Sequence, residues 1–176
     1  MEELPGAIYL FNLSLLAVTF AVVSALVMLV RQTMGGRLTN FDIYLITAYV
    51  SFGFVIALEA VLPPLVFLFN PSSVLLWAIG SGIAAVLHGS VLASNVKLRR
   101  KVSKEPMSWA VAGTFSTHGA VAVVLAVNAL VPPVQGVGPF AAALTVSLAT
   151  MLWTFVRRIS SLLGDKAGDD WDPKRG

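Results

Sequence analysis

Five apolar stretches separated by short polar segments make up most of the 176-residue chain. They run over about residues 7–30, 43–69, 74–96, 107–131 and 138–156. Each is close to or above the roughly 20 residues that a helix needs to cross a hydrocarbon core of about 30 Å. The breaks carry helix punctuation: Gly35 and Gly36 follow the first stretch, and Asn70, Pro71, Ser72 and Ser73 follow the second. Pro132, Pro133, Gly136 and Gly138 divide the fourth from the fifth. Thr39 stands three residues before Asp42, the spacing of a capping box at the start of the second helix. The pattern predicts an all-α polytopic membrane protein, with a five-helix transmembrane bundle over residues 1–163 and a polar tail over 164–176 that contains Trp171.

Composition agrees with this reading. Apolar residues are 57% of the chain and charged residues 12%, with a mean hydropathy of +0.83, so too little polar material exists to cover a soluble globule. Glu2 and Glu3 precede the first stretch, where a secretory signal would carry basic residues. The absence of cysteine excludes disulfides and thiolate metal sites.

Placing successive loops on alternate sides gathers all twelve Lys and Arg residues on one side. The positive-inside rule then sets the N-terminus outside and the C-terminus in the cytoplasm, in a multi-pass protein of a bacterial-type inner membrane. Arg31, Arg37, Lys97, Arg99, Arg100, Lys101, Arg157 and Arg158 form a belt suited to anionic lipid head groups. Topogenesis accounts for the net charge of +3 without nucleic acid. Tyr9, Trp77, Trp109 and Trp153 lie toward stretch ends and read as interface anchors.

The candidate chemistry sits inside the stretches. Glu59 is the one formally charged residue within them, and His88 and His118, the two histidines of the chain, lie in the third and fourth. A carboxylate at membrane depth needs a partner, a proton or a function. Carboxylate and imidazole groups stepped through a bilayer over roughly 10 Å are the material of a proton relay. A shift of 69 residues superposes Glu59, Pro63 and Pro64 on Asn128, Pro132 and Pro133, which predicts that Glu59 and Asn128 face each other. The proline pairs are read as helix kinks, each freeing a carbonyl one turn earlier for a cation or water. In the third stretch Ala78, Gly82, Ala85, Gly89 and Ala93 form a small-residue seam for helix packing, with His88 on the adjoining face beside Ser81, Ala84 and Asn95.

Three functions fit. The first is an ion- or solute-conducting protein, working as a homo-oligomer, with Glu59 as its protonatable or cation-binding group and His88, His118 and Asn128 along the pathway. The second is a non-transporting subunit of a larger membrane complex, with haem b or a pigment held between His88 and His118. The third is a structural scaffold. No phosphate loop, zinc pair or nucleophile elbow is present, and no loop is long enough to hold an enzyme acting on a water-soluble substrate.

Overall fold

The computed structural model describes residues 4–33, 39–103 and 107–164. Gly35, Gly36, Arg37, Lys104, Pro106 and the tail from residue 165 onward lie outside the described residues, as do the side chains of Arg31 and of residues 160–164.

The apolar stretches are helical because a chain crossing hydrocarbon must satisfy its backbone groups internally, and the two interior donors missing at Pro63 and Pro64 do not end α2. They form α1 (Ala7–Thr33), α2 (Asn40–Phe67), α3 (Ser73–Val102), α4 (Trp109–Leu130) and α5 (Val137–Gly164). All five are long and apolar enough to cross a membrane. Three start at hydroxyl caps. Thr39 Oγ1 accepts from Asp42 N–H while the Asp42 carboxylate accepts from Thr39 N–H, which completes the capping box. Ser72 and Ser108 accept from Leu75 and Val111 N–H at α3 and α4. Helices α3 and α5 run beyond the apolar stretches, through the Lys97–Lys101 cluster and past Arg158, because polarity alone does not end a helix.

The two proline pairs behave differently. Pro63 and Pro64 lie inside α2, which continues to Phe67. Pro132 and Pro133 stop α4 instead of kinking it. The helix ends at Leu130 and the prolines open a three-residue 3-10 turn, Pro132–Val134, where a ring without N–H replaces no ladder bond.

Helix α2 is the hub and packs on α1, α3 and α5, while α4 packs on α3 and α5. Phe20 of α1, Tyr49 of α2 and Phe155 of α5 meet edge to face with ring centroids 5.4–6.0 Å apart. The distribution of side chains is that of a membrane bundle. Large apolar residues such as Ile8, Leu15, Val86 and Leu130 are exposed, while Glu59, Ser81, His88, His118, Asn128 and Ser147 are fully buried.

Two sequence readings change here. Trp77 is not an interface anchor: it is buried in the core, with its ring 5.8 Å from Phe140. The small-residue seam of α3 is only partly buried. The buried side of α3 is Trp77, Ser81, Ala84, His88 and Asn95, and Ala93 is exposed while a methyl added at Gly89 would meet nothing within 4 Å. Of the seam, Ala85 packs against the core, and a Cβ added at Gly82 would lie 3.9 Å from the Ala129 methyl on α4. A closer approach involves Gly53 of α2, where an added Cβ would lie 2.8 Å from the Ala21 methyl and 3.1 Å from the Ala17 carbonyl of α1; at Gly80 an added Cβ would be in ordinary contact with Pro63.

Candidate functional site

At the bundle centre one polar side chain from each of four consecutive helices joins a single hydrogen-bonded line. His88 Nδ1 of α3 lies 3.2 Å from both carboxylate oxygens of Glu59 on α2. His88 Nε2 lies 3.2 Å from His118 Nδ1 on α4, and the same His118 nitrogen lies 3.1 Å from Ser147 Oγ on α5. All four side chains are fully buried. Phe52 of α2 stacks on the His118 ring, with centroids 4.1 Å apart and planes 26° apart, which fixes the ring's orientation.

The donor and acceptor inventory of these groups allows two consistent arrangements. An ionised Glu59 accepts from His88 Nδ1–H. His88 Nε2 is then an acceptor, His118 Nδ1–H donates to it, and His118 Nε2 is left bare. A protonated Glu59 reverses every bond. Its O–H donates to His88 Nδ1, His88 Nε2–H donates to His118 Nδ1, the Ser147 hydroxyl shares that nitrogen's one lone pair as a weaker second donor, and His118 Nε2 carries a hydrogen. One proton gained at His118 Nε2 therefore equals one proton gained at Glu59, with no side chain moving. His118 Nε2 is the one imidazole nitrogen of the line without a hydrogen-bond partner among the described residues.

His118 also forms part of a cavity wall. A cavity of about 810 Å³ lies among α2, α4 and α5. It begins at the end of the bundle that carries Phe41, Arg99, Trp109, Arg157 and Arg158, and reaches Phe52, His118 and Val146. At 1.5 Å per residue, the distance from Trp109 to His118 along α4 is about 14 Å. The unpartnered imidazole nitrogen thus belongs to the residue at the cavity's inner end, and Glu59 lies beyond it.

Sequence-predicted residues fall into three groups. Glu59, His88 and His118 come together. Asn128 does not face Glu59: both turn toward α3, but Asn128 Nδ2 donates to Ser81 Oγ at 2.7 Å, and its Oδ1 accepts from Gly136 N–H at 3.0 Å. Asn128 therefore ties the α4–α5 turn to α3. The basic belt also divides. Arg99 is 7% exposed and Arg158 pairs with the buried Asp42 at 3.2 Å, both guanidinium groups lying within 5.6 Å of the Phe41 ring centroid, so these two face inward. Lys97, Arg100, Lys101 and Arg157 are exposed. Ser147 escaped notice in the sequence, because serine is common in membrane helices and nothing marks one that meets an imidazole.

The geometry does not fit a haem between the two histidines. Two axial imidazoles on one iron need about 4 Å between nitrogens, twice a metal–imidazole bond of roughly 2 Å. Here the facing nitrogens are 3.2 Å apart, and both nitrogens of His88 are engaged in the line. Among the described residues no group of three His, Cys, Asp or Glu is placed to hold a metal ion.

Compared with known protein families, curated proteins and solved structures, the chain matches none, so its functional reading rests on this geometry.

Proposed function

We propose that this protein is a multi-pass protein of the cell membrane that moves protons, alone or coupled to a small solute, through the line of Ser147, His118, His88 and Glu59. The observation that carries the reading is the continuity of that line, from a carboxylate at bundle depth to an imidazole at the inner end of a cavity. Its orientation follows from charge: the cavity opens at the end bearing the basic residues, which the positive-inside rule assigns to the cytoplasm. Beyond Glu59 the opposite end is filled by Ala60, Leu76, Trp77, Phe140 and Leu144, all buried. In this reading the line meets the cavity at His118, and transfer to the other side requires α2 and α3 to separate near Pro63 and Gly80. One chain supplies the whole line, so the mechanism does not depend on a second copy.

The test is proton flux into liposomes containing the purified protein and an entrapped pH indicator, driven by a membrane potential. Glu59→Gln keeps the size of the side chain but cannot exchange a proton, and abolishes flux while the protein still inserts and assembles. Unchanged flux in that variant would overturn the proposal.

A further inference from the structure

The mouth of the cavity holds a buried cation that no acid among the described residues neutralises. Arg99 lines the cavity and is 7% exposed. Its Nη1 donates to the Ser103 carbonyl at 3.1 Å and its guanidinium lies 5.6 Å from the Phe41 ring centroid, but its Nε has no hydrogen-bond partner. Among the described residues no carboxylate pairs with Arg99; Asp42 at the same end pairs with Arg158. A guanidinium stays charged when desolvated, and burying it unpaired is costly, so this one calls for an anion that none of the described residues supplies.

The rest of the cavity specifies what the anion is attached to. Tyr44, Tyr49, Phe52, Phe115 and Trp153 supply aromatic wall from mouth to inner end. The threonines among them do not make it polar, because Thr114, Thr150 and Thr154 donate their hydroxyls to carbonyls of their own helices. The site therefore has a cationic rim and a long apolar interior. Its volume of about 810 Å³ is that of a small-molecule site.

We propose that the cavity binds a single-chain organic carboxylate of the fatty-acid type. The carboxylate sits on Arg99, with the exposed Arg157 adding positive charge at the rim, and the alkyl chain runs along the aromatic wall toward Phe52 and His118. The assignment rests on the cavity of the proton-moving reading and names the class of solute that enters it.

Trp109 and Trp153 line this cavity and serve as reporters. The full-length protein in lipid nanodiscs is titrated with brominated decanoate, whose bromine quenches tryptophan only at short range. A saturable component is expected above the linear background from partition into lipid. Arg99→Gln weakens it about tenfold, the loss expected for one charge-assisted hydrogen bond. Gly113→Phe, which fills the cavity at a position where an added methyl meets nothing within 4 Å, removes it without disturbing the packed core. Should Arg99→Gln fail to fold, Gly113→Phe decides alone. Saturable quenching unchanged in the variants, or matched by brominated phospholipid or brominated decanol, would overturn the assignment. Proton flux of the wild-type protein measured without any carboxylate tests the relay separately, so the two proposals fail independently.

Discussion

His88 is the residue on which the centre of this protein turns. It occupies both of its nitrogens, one with Glu59 and one with His118, and so makes the two ends of the line a single unit. His88→Ala leaves the buried Glu59 carboxylate without its partner and His118 with Ser147 alone. It is expected to lower stability by about 2–3 kcal/mol, the cost of unsatisfied buried polar groups, and to abolish flux. Ser147→Ala removes one hydroxyl from His118 Nδ1, which keeps His88; about 1 kcal/mol and a partial loss of flux follow. Thermal unfolding in detergent and liposome flux, measured on both variants, check the ranking. Equal effects would show that the line does not act as a relay. The three titratable members of this line were legible in the sequence, since a charged or imidazole side chain within an apolar run has few places to go. Their order was not, because the pairing depends on which faces of α2, α3 and α4 turn inward. Arg99 shows the same limit from the other side: its place in a basic cluster read as lipid-facing, yet the rotation of α3 turns it toward Phe41.

At the scale of the helix, the line recurs at nearly constant spacing. Glu59, His88, His118 and Ser147 are separated by 29, 30 and 29 residues, one per consecutive helix. Such regularity follows when antiparallel helices of similar length each contribute a residue near mid-span. Helix existence and approximate bounds were plain from the apolar pattern, because nothing but length and hydropathy is needed to recognise a span. The packing face was harder to read. Small residues marked a stripe on α3, but burial follows Trp77, Ser81, Ala84 and His88, one step around the helix. The glycines separate the two ideas. A Cβ at Gly53 would lie 2.8 Å from the Ala21 methyl and 3.1 Å from the Ala17 carbonyl, so Gly53→Ala forces α1 and α2 apart and costs about 1–3 kcal/mol. Gly89→Ala meets open space and is neutral or stabilising, by up to about 1 kcal/mol, through helix propensity. Thermal unfolding of the two variants side by side measures this; a loss at Gly89 as large as at Gly53 would restore the stripe as the interface.

Across the whole molecule the two ends of the bundle differ. One end holds the cavity and a cluster in which Asp42, at the start of α2, reaches Arg158, near the end of α5, 116 residues away. The other is closed by apolar side chains and by Asn128, which fastens the α4–α5 turn to α3. Asp42 pairs with Arg158 and also caps α2 through Thr39, and substitutions can separate these roles. Arg158 is a third exposed, so solvent screens the pair; Asp42→Asn is expected to cost less than about 1 kcal/mol. Asp42→Ala also removes the capping box and costs about 1–2 kcal/mol more. Double-mutant cycles with Arg158→Ala in denaturation experiments separate the two contributions, and a larger effect for Asn than for Ala would contradict the division. The position of the basic residues along the chain announced which helix ends gather together. The cavity was not legible, because a space between helices is a property of how they tilt and not of any one segment.

The pairing of Glu59 with His88 also bears on how the protein is made. A chain enters the bilayer in the order of its synthesis, and the carboxylate of α2 emerges 29 residues before the imidazole that receives it. A lone carboxyl group at that depth is poorly tolerated by the membrane. Helices α2 and α3, joined by a short turn, are therefore expected to leave the translocation machinery together, as one hairpin with its polar pair already formed.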